Sequence, residues 1–228
     1  MHINLAYLKA GSHCLNNSTF GANRFKLEGS GHNVEEVVIA GVENALQAVE
    51  ASGHGTVFLD IGPTGKLLRP LGELEFEEAV SAFGEMVQAG CRAGAQGILL
   101  ETMSDIYEAK AALLAAKENS DLPVFVTMTF DGDGKLLTGG DIGVAAAVLE
   151  GLGADAIGLN CGLGPQQMAS APSALATSLS NTPDAAAQTP RLNPGACLIP
   201  TRTRTCRQAP YSRHSHLSPI HVTHAPYR

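Results

Sequence analysis

Three short apolar runs in this sequence each lead to a side chain that could do chemistry. Residues 56–59 precede Asp60, residues 97–100 precede Glu101, and residues 156–159 lead through Asn160 to Cys161. Continuous Val, Ile and Leu runs are typical of buried parallel strands, whose carboxyl ends share one edge of a sheet. We therefore expect two carboxylates and a thiol on a common rim, where carboxylates can hold a cationic group and a thiolate can ligate a soft metal.

Each of these residues also has an ordinary structural interpretation. A lone cysteine such as Cys161 is most often a small buried hydrophobic residue. Glu101 could cap the helix that follows it, and Asp60 could order the Gly-Pro-Thr-Gly turn of residues 62–65. For Asp60 we favour this structural role. Cys14 and Cys91 are predicted to lie in the core.

The elements that position these residues alternate between strands and helices. Helical spacing of apolar residues predicts helices from about residue 34, from 75 to 93, after Ser104 or Asp105, and after Asp141, with Asn33 as an N-cap. Such alternation indicates an α/β fold with a parallel sheet. No G-x-G-x-x-G motif follows the first strand, so we favour a partial (β/α)8 TIM barrel, containing about strands two to six of the roughly 250-residue fold.

The last quarter of the chain differs in composition from the rest. Residues 1–167 carry 9 Lys and Arg against 21 Asp and Glu, whereas residues 168–228 carry 6 Arg and one Asp. Eight of the 12 prolines also lie in the last quarter. We therefore predict an incomplete barrel domain over residues 1–168 and a disordered Pro- and Arg-rich tail over residues 169–228.

Charge and hydropathy also limit the partners and the location of the protein. The acidic body lacks the basic stripe that nucleic acid binding requires, so a small molecule is the expected partner. The sequence contains no run of 18 apolar residues and no secretory signal, so we expect no membrane contact and a cytoplasmic location. Five cysteines at irregular spacing are expected to be reduced thiols.

Four motifs in order give the sequence a resemblance to a known family. They are Thr-Phe-Gly-Ala-Asn at 19–23, Asp-Ile-Gly-Pro-Thr-Gly at 60–65, Glu-Thr-Met-Ser-Asp at 101–105 and Gly-Leu-Asn-Cys-Gly-Leu-Gly-Pro at 158–165. Over about residues 5–168 the sequence resembles the homocysteine S-methyltransferase family, and most closely the amino-terminal homocysteine-binding modules of cobalamin-dependent methionine synthases. The resemblance implies a barrel truncated at both ends.

The resemblance also implies a substrate, cofactors and residue roles. Family members hold Zn²⁺ with three cysteine thiolates, and the zinc binds the sulfur of homocysteine, which accepts a methyl group to give methionine. Cys161 matches the first thiolate, Glu101 the carboxylate that binds the substrate amine, and Phe20 a wall of the pocket. Cobalamin, the implied methyl donor, would come from another module or protein.

This sequence departs from the family pattern in three places. The adjacent Cys-Cys pair that supplies the other two thiolates is absent, the glycine-rich loop after the first strand is missing, and Asn16-Asn-Ser18 stands where Glu-Thr-Asn is usual. We assign no catalytic residue and expect the chain as written to be inactive and, because of two unpaired strand edges, poorly soluble. The alternatives are a non-catalytic homocysteine- or amino-acid-binding module and a non-functional truncated gene product with an out-of-frame tail.

Overall fold

The computed structural model describes residues 2–162, 175, 178, 196–201 and 222–223. From residue 14 to residue 160, strands and helices alternate along the chain as the sequence predicts, except that two helices follow the first strand. The helices are α1 His2–Lys9, α2 Arg24–Leu27, α3 Val34–Ser52, α4 Phe76–Arg92, α5 Ile106–Asn119 and α6 Ile142–Gly151; the strands are β1 Cys14–Asn16, β2 Thr56–Ile61, β3 Gly97–Met103, β4 Val124–Met128, β5 Ala156–Asn160, β6 Ala196–Pro200 and β7 Val222–Thr223.

The strands form one sheet in the order β6-β5-β4-β3-β2-β1-β7. Each of the neighbouring pairs from β1 to β5 is parallel, with helices connecting successive strands. Five parallel strands in sequence order, covered by helices, form half of a (β/α)8 barrel. The predicted partial barrel is therefore confirmed.

Alternate side chains of each strand point to opposite faces of the sheet. Val57, Leu59 and Ile61 on one face of β2 pack with the helices in the main hydrophobic core. On the opposite face, Phe58 packs with Leu99 and with interior side chains of β1 and β4, namely Cys14 and the partly buried Phe125. This second cluster fills the amino-terminal part of the barrel interior.

The predicted helix starts agree with the hydrogen bonds of their caps. The side chains of Asn33, Asp105 and Asp141 each accept a hydrogen bond from a backbone N–H in the first turn of α3, α5 and α6. Each cap fixes where its helix begins relative to the preceding strand. The short helix α2, capped by Asn23, was not predicted, because four residues are too few to show a helical period.

The sheet edges differ from the sequence prediction. We expected β1 and β5 to have unpaired edges, but β1 pairs with β7 in parallel and β5 pairs with β6 in an antiparallel arrangement. Strands β6 and β7 lie in the tail that we predicted to be disordered. Apart from residues 175, 178 and 201, the rest of the tail lies outside the described residues, and the division into two domains stays a prediction. No helix in the described part of the chain is long and apolar enough to cross a membrane.

Candidate functional site

The interior of the half-barrel changes from apolar to polar towards the carboxyl ends of the strands. Beyond the layer of Cys14, Phe58, Leu99 and Phe125, the next interior position on each of the same strands carries a polar side chain. All of these polar side chains and their counterpart on β5 are buried: Asn16, Asp60, Glu101, Thr127 and Asn160. Burying five polar groups in one layer requires hydrogen-bond partners or a ligand, so this layer is the candidate site.

Two carboxyl groups meet in this layer. Asp60 lies on β2, and its side chain is hydrogen bonded to the side chain of Glu101 on β3. Burial, followed by the charge of Glu101 and this hydrogen bond, raises the pKa of Asp60 well above its usual range. A nearby ammonium group would relieve the repulsion between the two carboxylates, so the pair is suited to binding a cation.

Cys161 is joined to the carboxyl pair by a short chain of hydrogen bonds. The Asn160 Nδ2 atom lies 3.4 Å from Glu101 Oε1 and 2.8 Å from Thr102 Oγ1. The Thr102 hydroxyl in turn donates to Cys161 Sγ over 3.8 Å. The Cys161 side chain is exposed. Glu101 and Cys161, which the sequence places 60 residues apart, therefore belong to one cluster.

The backbone at these strand ends has an uncommon conformation. Ser18 after β1, Thr102 in β3 and Cys161 after β5 have φ angles of 61°, 57° and 58°, in the left-handed region that favours glycine. A β-branched threonine in this region is an outlier. At the next position, Gly162 passes so close to the chain that an added Cβ would lie 2.1 Å from the carbonyl oxygen of Phe130. The fold therefore holds the Cys161 side chain in one direction through local strain and close backbone contact.

Phe20 lies beside the same rim, between the ends of β1 and β2. A Cβ added to Gly62 would come within 2.5 Å of the Phe20 ring, and the Gly62 N–H donates to the Phe20 carbonyl over 3.0 Å. Thr19, next to Phe20, donates its hydroxyl to the Asp60 carbonyl at 2.7 Å. The Lys26 ammonium lies 5.1 Å from the centre of the Phe20 ring. These contacts fix Phe20 against the loop that follows Asp60.

Glu108 of α5 holds that loop in place. Its carboxylate accepts hydrogen bonds from the Thr64 N–H, at 2.7 Å, and from the Thr64 hydroxyl. Both side chains are buried. Burial raises the pKa of Glu108, and the bonds from Thr64 oppose that effect. The role in ordering the turn that we predicted for Asp60 therefore belongs to Glu108, whereas Asp60 itself contacts Glu101.

Several polar atoms of the layer have no hydrogen-bond partner. They include both side-chain polar atoms of Asn16, one carboxylate oxygen of Asp60 and the Oδ1 atom of Asn160. A buried polar group without a partner costs about 1–3 kcal/mol. These atoms would recover that free energy by contacting a polar ligand. The layer is thus a set of donors and acceptors that fits a small ligand carrying both.

The described residues do not form a zinc site by themselves. Among them, no group of three or more His, Cys, Asp or Glu side chains is arranged to hold a metal ion. Cys161 is exposed at the rim, but Cys14 lies in the apolar layer, where burial raises the pKa of its thiol to about 11. Cys91 is partly buried against the helical core, which agrees with its predicted role. A zinc ion with thiolate ligands therefore does not fit this part of the chain alone.

Sequence comparison agrees with the motifs at the strand ends. A profile of the homocysteine S-methyltransferase family matches residues 1–205, which is most of the chain. The chain belongs to the homocysteine S-methyltransferase family. This match confirms the family that the four motifs indicated.

Curated relatives of this family member are much longer than it is. Two proteins named methionine synthase match it, from Mycobacterium leprae (strain TN) with 31% identity over 181 residues and from Mycobacterium tuberculosis (strain ATCC 25618 / H37Rv) with 31% identity over 173 residues. The alignments include 73% and 71% of this chain but 15% and 14% of those proteins. The chain thus spans about one-seventh of the length of these relatives.

Solved structures of a homocysteine methyltransferase share the fold of this family member. The metallated form of MmuM from Escherichia coli matches 70% of this chain and 62% of its own, with a TM-score of 0.62 and 22% identity. The oxidized form matches 77% of this chain and 66% of its own, with a TM-score of 0.69 and 22% identity. At this identity the likeness supports the partial barrel fold alone.

Of the predicted site residues, the structure brings Glu101 and Cys161 together and places Phe20 beside the neighbouring strand end. Their roles as substrate and metal ligands stay predictions. The sequence did not predict the interior position of Asn16, the pairing of Asp60 with Glu101, or the contact of Glu108 with the loop. The period of two in β1 and β2 could have identified Asn16 and Asp60 as interior residues, because each lies two residues after an apolar interior residue.

Proposed function

We propose that this chain binds homocysteine at the polar layer and presents its sulfur as a methyl acceptor, so that methyl transfer gives methionine. The observation that carries the proposal is the buried pair of Asp60 and Glu101 at the carboxyl ends of β2 and β3. An amino acid carries an ammonium group, which such a pair is suited to bind. Membership of the homocysteine S-methyltransferase family supports homocysteine as that amino acid.

In this proposal Glu101 binds the substrate ammonium and Phe20 lines the pocket. Glu101 is buried, so its carboxylate would interact with a cation at low effective dielectric, where the attraction is stronger than in water. Phe20 is half-buried and held by Gly62, so its ring offers an apolar wall for the methylene groups of the substrate. Cys161, on the other side of Glu101, marks the end of the site at which the sulfur would lie.

The cofactors are part of the proposal. Following the family resemblance, we assign Cys161 as one ligand of Zn²⁺ and cobalamin as the methyl donor, carried by another module or protein. The described residues supply one rim thiol, so we assign no chemical step of this chain to the metal. A cytoplasmic location, no membrane contact and no nucleic acid partner are proposed from the sequence.

Calorimetric titration of the whole chain with L-homocysteine tests the substrate assignment. Glu101→Gln is expected to weaken binding about tenfold or more, because it removes the charge that holds the ammonium group. Glu43→Gln, the same substitution at an exposed position of α3, is the matched control and should leave binding unchanged. Unchanged affinity in Glu101→Gln, or no binding by the wild type, would contradict the proposal.

A second candidate is a binding module that takes up the amino acid without transferring a methyl group. It is favoured by the finding that no three-ligand metal group occurs among the described residues. Zinc content and a methyl-transfer assay with added zinc and methylcobalamin distinguish the two candidates. Stoichiometric zinc and turnover would support the enzyme. We expect this chain alone to bind homocysteine without turnover; turnover gained when a carboxyl-terminal extension supplies a Cys-Cys pair would identify an incomplete enzyme, and no gain would identify a binding module.

A further inference from the structure

Asn16 occupies an interior position of β1, and its polar side chain has no role in the site as described so far. Leu15, the residue before it, packs outward against Leu8 and Ala48, whereas Cys14 packs inward with Phe58. Because side chains alternate along a strand, Asn16 points inward like Cys14, one layer closer to the rim. Its backbone pairs with Phe58, so Asp60 is its diagonal neighbour on the same face.

Asn16 is only 8% exposed, and both its Nδ2 and its Oδ1 atom lack a hydrogen-bond partner. Among the buried side-chain nitrogens of the described residues, only those of Asn16 and Asn17 are unpartnered. Asn17 lies on the outer face, since a Cβ added to Gly41 of α3 would be 3.5 Å from its Nδ2 atom. Asn16 therefore provides the unpartnered N–H donor of the interior layer.

The unpartnered atoms of the layer divide into two chemical kinds. The free oxygens of Asp60 and Asn160 are acceptors and suit an ammonium group. The substrate of the proposed function also carries a carboxylate on the same carbon, and a carboxylate requires donors. Among the described interior residues of this layer, the donor without a partner is the Asn16 amide.

We propose that the Asn16 side-chain amide binds the α-carboxylate of the amino acid substrate and so makes the site specific for amino acids over simple amines. This assignment rests on the proposed function, because it presupposes an amino acid in the layer. Asn16 acts in binding and orientation and takes no part in bond formation. It places the carboxylate towards β1 and leaves the ammonium group towards Asp60 and Glu101.

The test compares two thiols in calorimetric titrations of the whole chain. L-homocysteine carries the carboxylate, and 3-aminopropane-1-thiol is the same molecule without it. Asn16→Asp keeps the side-chain shape and replaces the donor with a carboxylate; Asn16→Leu removes the donor without adding charge. Both variants are expected to weaken homocysteine binding about tenfold or more. Asn16→Leu is expected to change aminopropanethiol binding by less than about twofold, and Asn16→Asp is expected not to weaken it, because the added carboxylate attracts the ammonium group.

Asn33→Asp, the same substitution at the exposed cap of α3, is the control and should leave both affinities unchanged. Equal losses for the two ligands in Asn16→Leu, with an unfolding curve like that of the wild type, would overturn the carboxylate assignment alone. If the wild type bound neither ligand, the proposed function would fail and this assignment with it. If Asn16→Asp did not fold, Asn16→Leu would decide the question.

Discussion

Replacing Glu108 is expected to destabilise the loop that follows Asp60, although Glu108 is not itself a proposed ligand of the substrate. Its carboxylate accepts two hydrogen bonds from Thr64, which is 1% exposed. Glu108→Ala would leave the Thr64 N–H buried without an acceptor and would leave the hydroxyl only the Lys66 carbonyl oxygen, at 3.3 Å. Each unsatisfied buried donor costs about 1–3 kcal/mol.

The expected loss in Glu108→Ala is about 2–3 kcal/mol in the free energy of unfolding. This figure lies near the lower end of the sum for two donors. Burial raises the pKa of Glu108, so its removal also relieves the cost of burying a charge. For a chain of this size, a loss of 2–3 kcal/mol corresponds to a decrease in Tm of about 4–12 °C.

Urea unfolding and thermal melts of the wild type, Glu108→Ala and Glu108→Gln measure the effect. Glutamine keeps a carbonyl oxygen that can accept from Thr64, so Glu108→Gln should lose less than about 1 kcal/mol. Homocysteine affinity should fall in the alanine variant and be retained in the glutamine variant, because the loop carries Gly62, which supports Phe20. Equal stability of the two variants would refute the claim that Thr64 depends on this acceptor.

Three further predictions concern the same rim. The pKa of Asp60 is raised in the folded protein, so its proton stabilises the folded state at a pH below the unfolded-state pKa of about 4. This contribution is lost as pH rises. Asp60→Asn should therefore gain stability relative to the wild type between pH 4 and pH 8, as measured by urea unfolding. Gly62→Ala should destabilise by about 1–3 kcal/mol and weaken homocysteine binding, because its Cβ overlaps the Phe20 ring. Iodoacetamide at pH 8 should alkylate the exposed Cys161 and spare Cys14, whose thiol has a pKa of about 11, as read by peptide mass spectrometry.

Each of these predictions has an outcome that would contradict it. A stability difference for Asp60→Asn that stayed constant with pH would mean that the pKa of Asp60 is not raised in the folded protein. Gly132→Ala, at a position where an added Cβ meets nothing within 4 Å, is the control for Gly62→Ala and should leave stability within about 0.5 kcal/mol. Alkylation of Cys14 as fast as Cys161 would mean that the apolar layer opens in the native state.

The sequence predicted those features of the fold that depend on local pattern. The caps at Asp105 and Asp141 and the apolar run before Glu101 each follow from a few adjacent residues. The parallel order of the strands then followed from the alternation of elements. It placed Glu101 and Cys161 on one rim because parallel strands end on the same side of a sheet.

Features that depend on contacts between distant residues could not be predicted in this way. Nothing local to Glu108 indicates that it accepts hydrogen bonds from Thr64, 44 residues earlier. The meeting of Asp60 and Glu101 depends on the register of β2 against β3, which an apolar run does not specify. The pairing of 196–200 with β5 likewise has no periodic signal in the tail sequence.

The left-handed residues at the strand ends set a limit on how far this barrel fragment could be engineered for thermal stability. Glycine would adopt the backbone angles of Ser18, Thr102 and Cys161 without the steric cost of about 1 kcal/mol that other residues incur. Thr102 and Cys161, however, carry the hydroxyl and the thiol that extend the cluster from Glu101. A screen for heat resistance would therefore favour glycine at Thr102 and Cys161 and so remove the hydroxyl and the thiol. Of the three positions, only Ser18 offers a gain in stability that leaves these two groups in place.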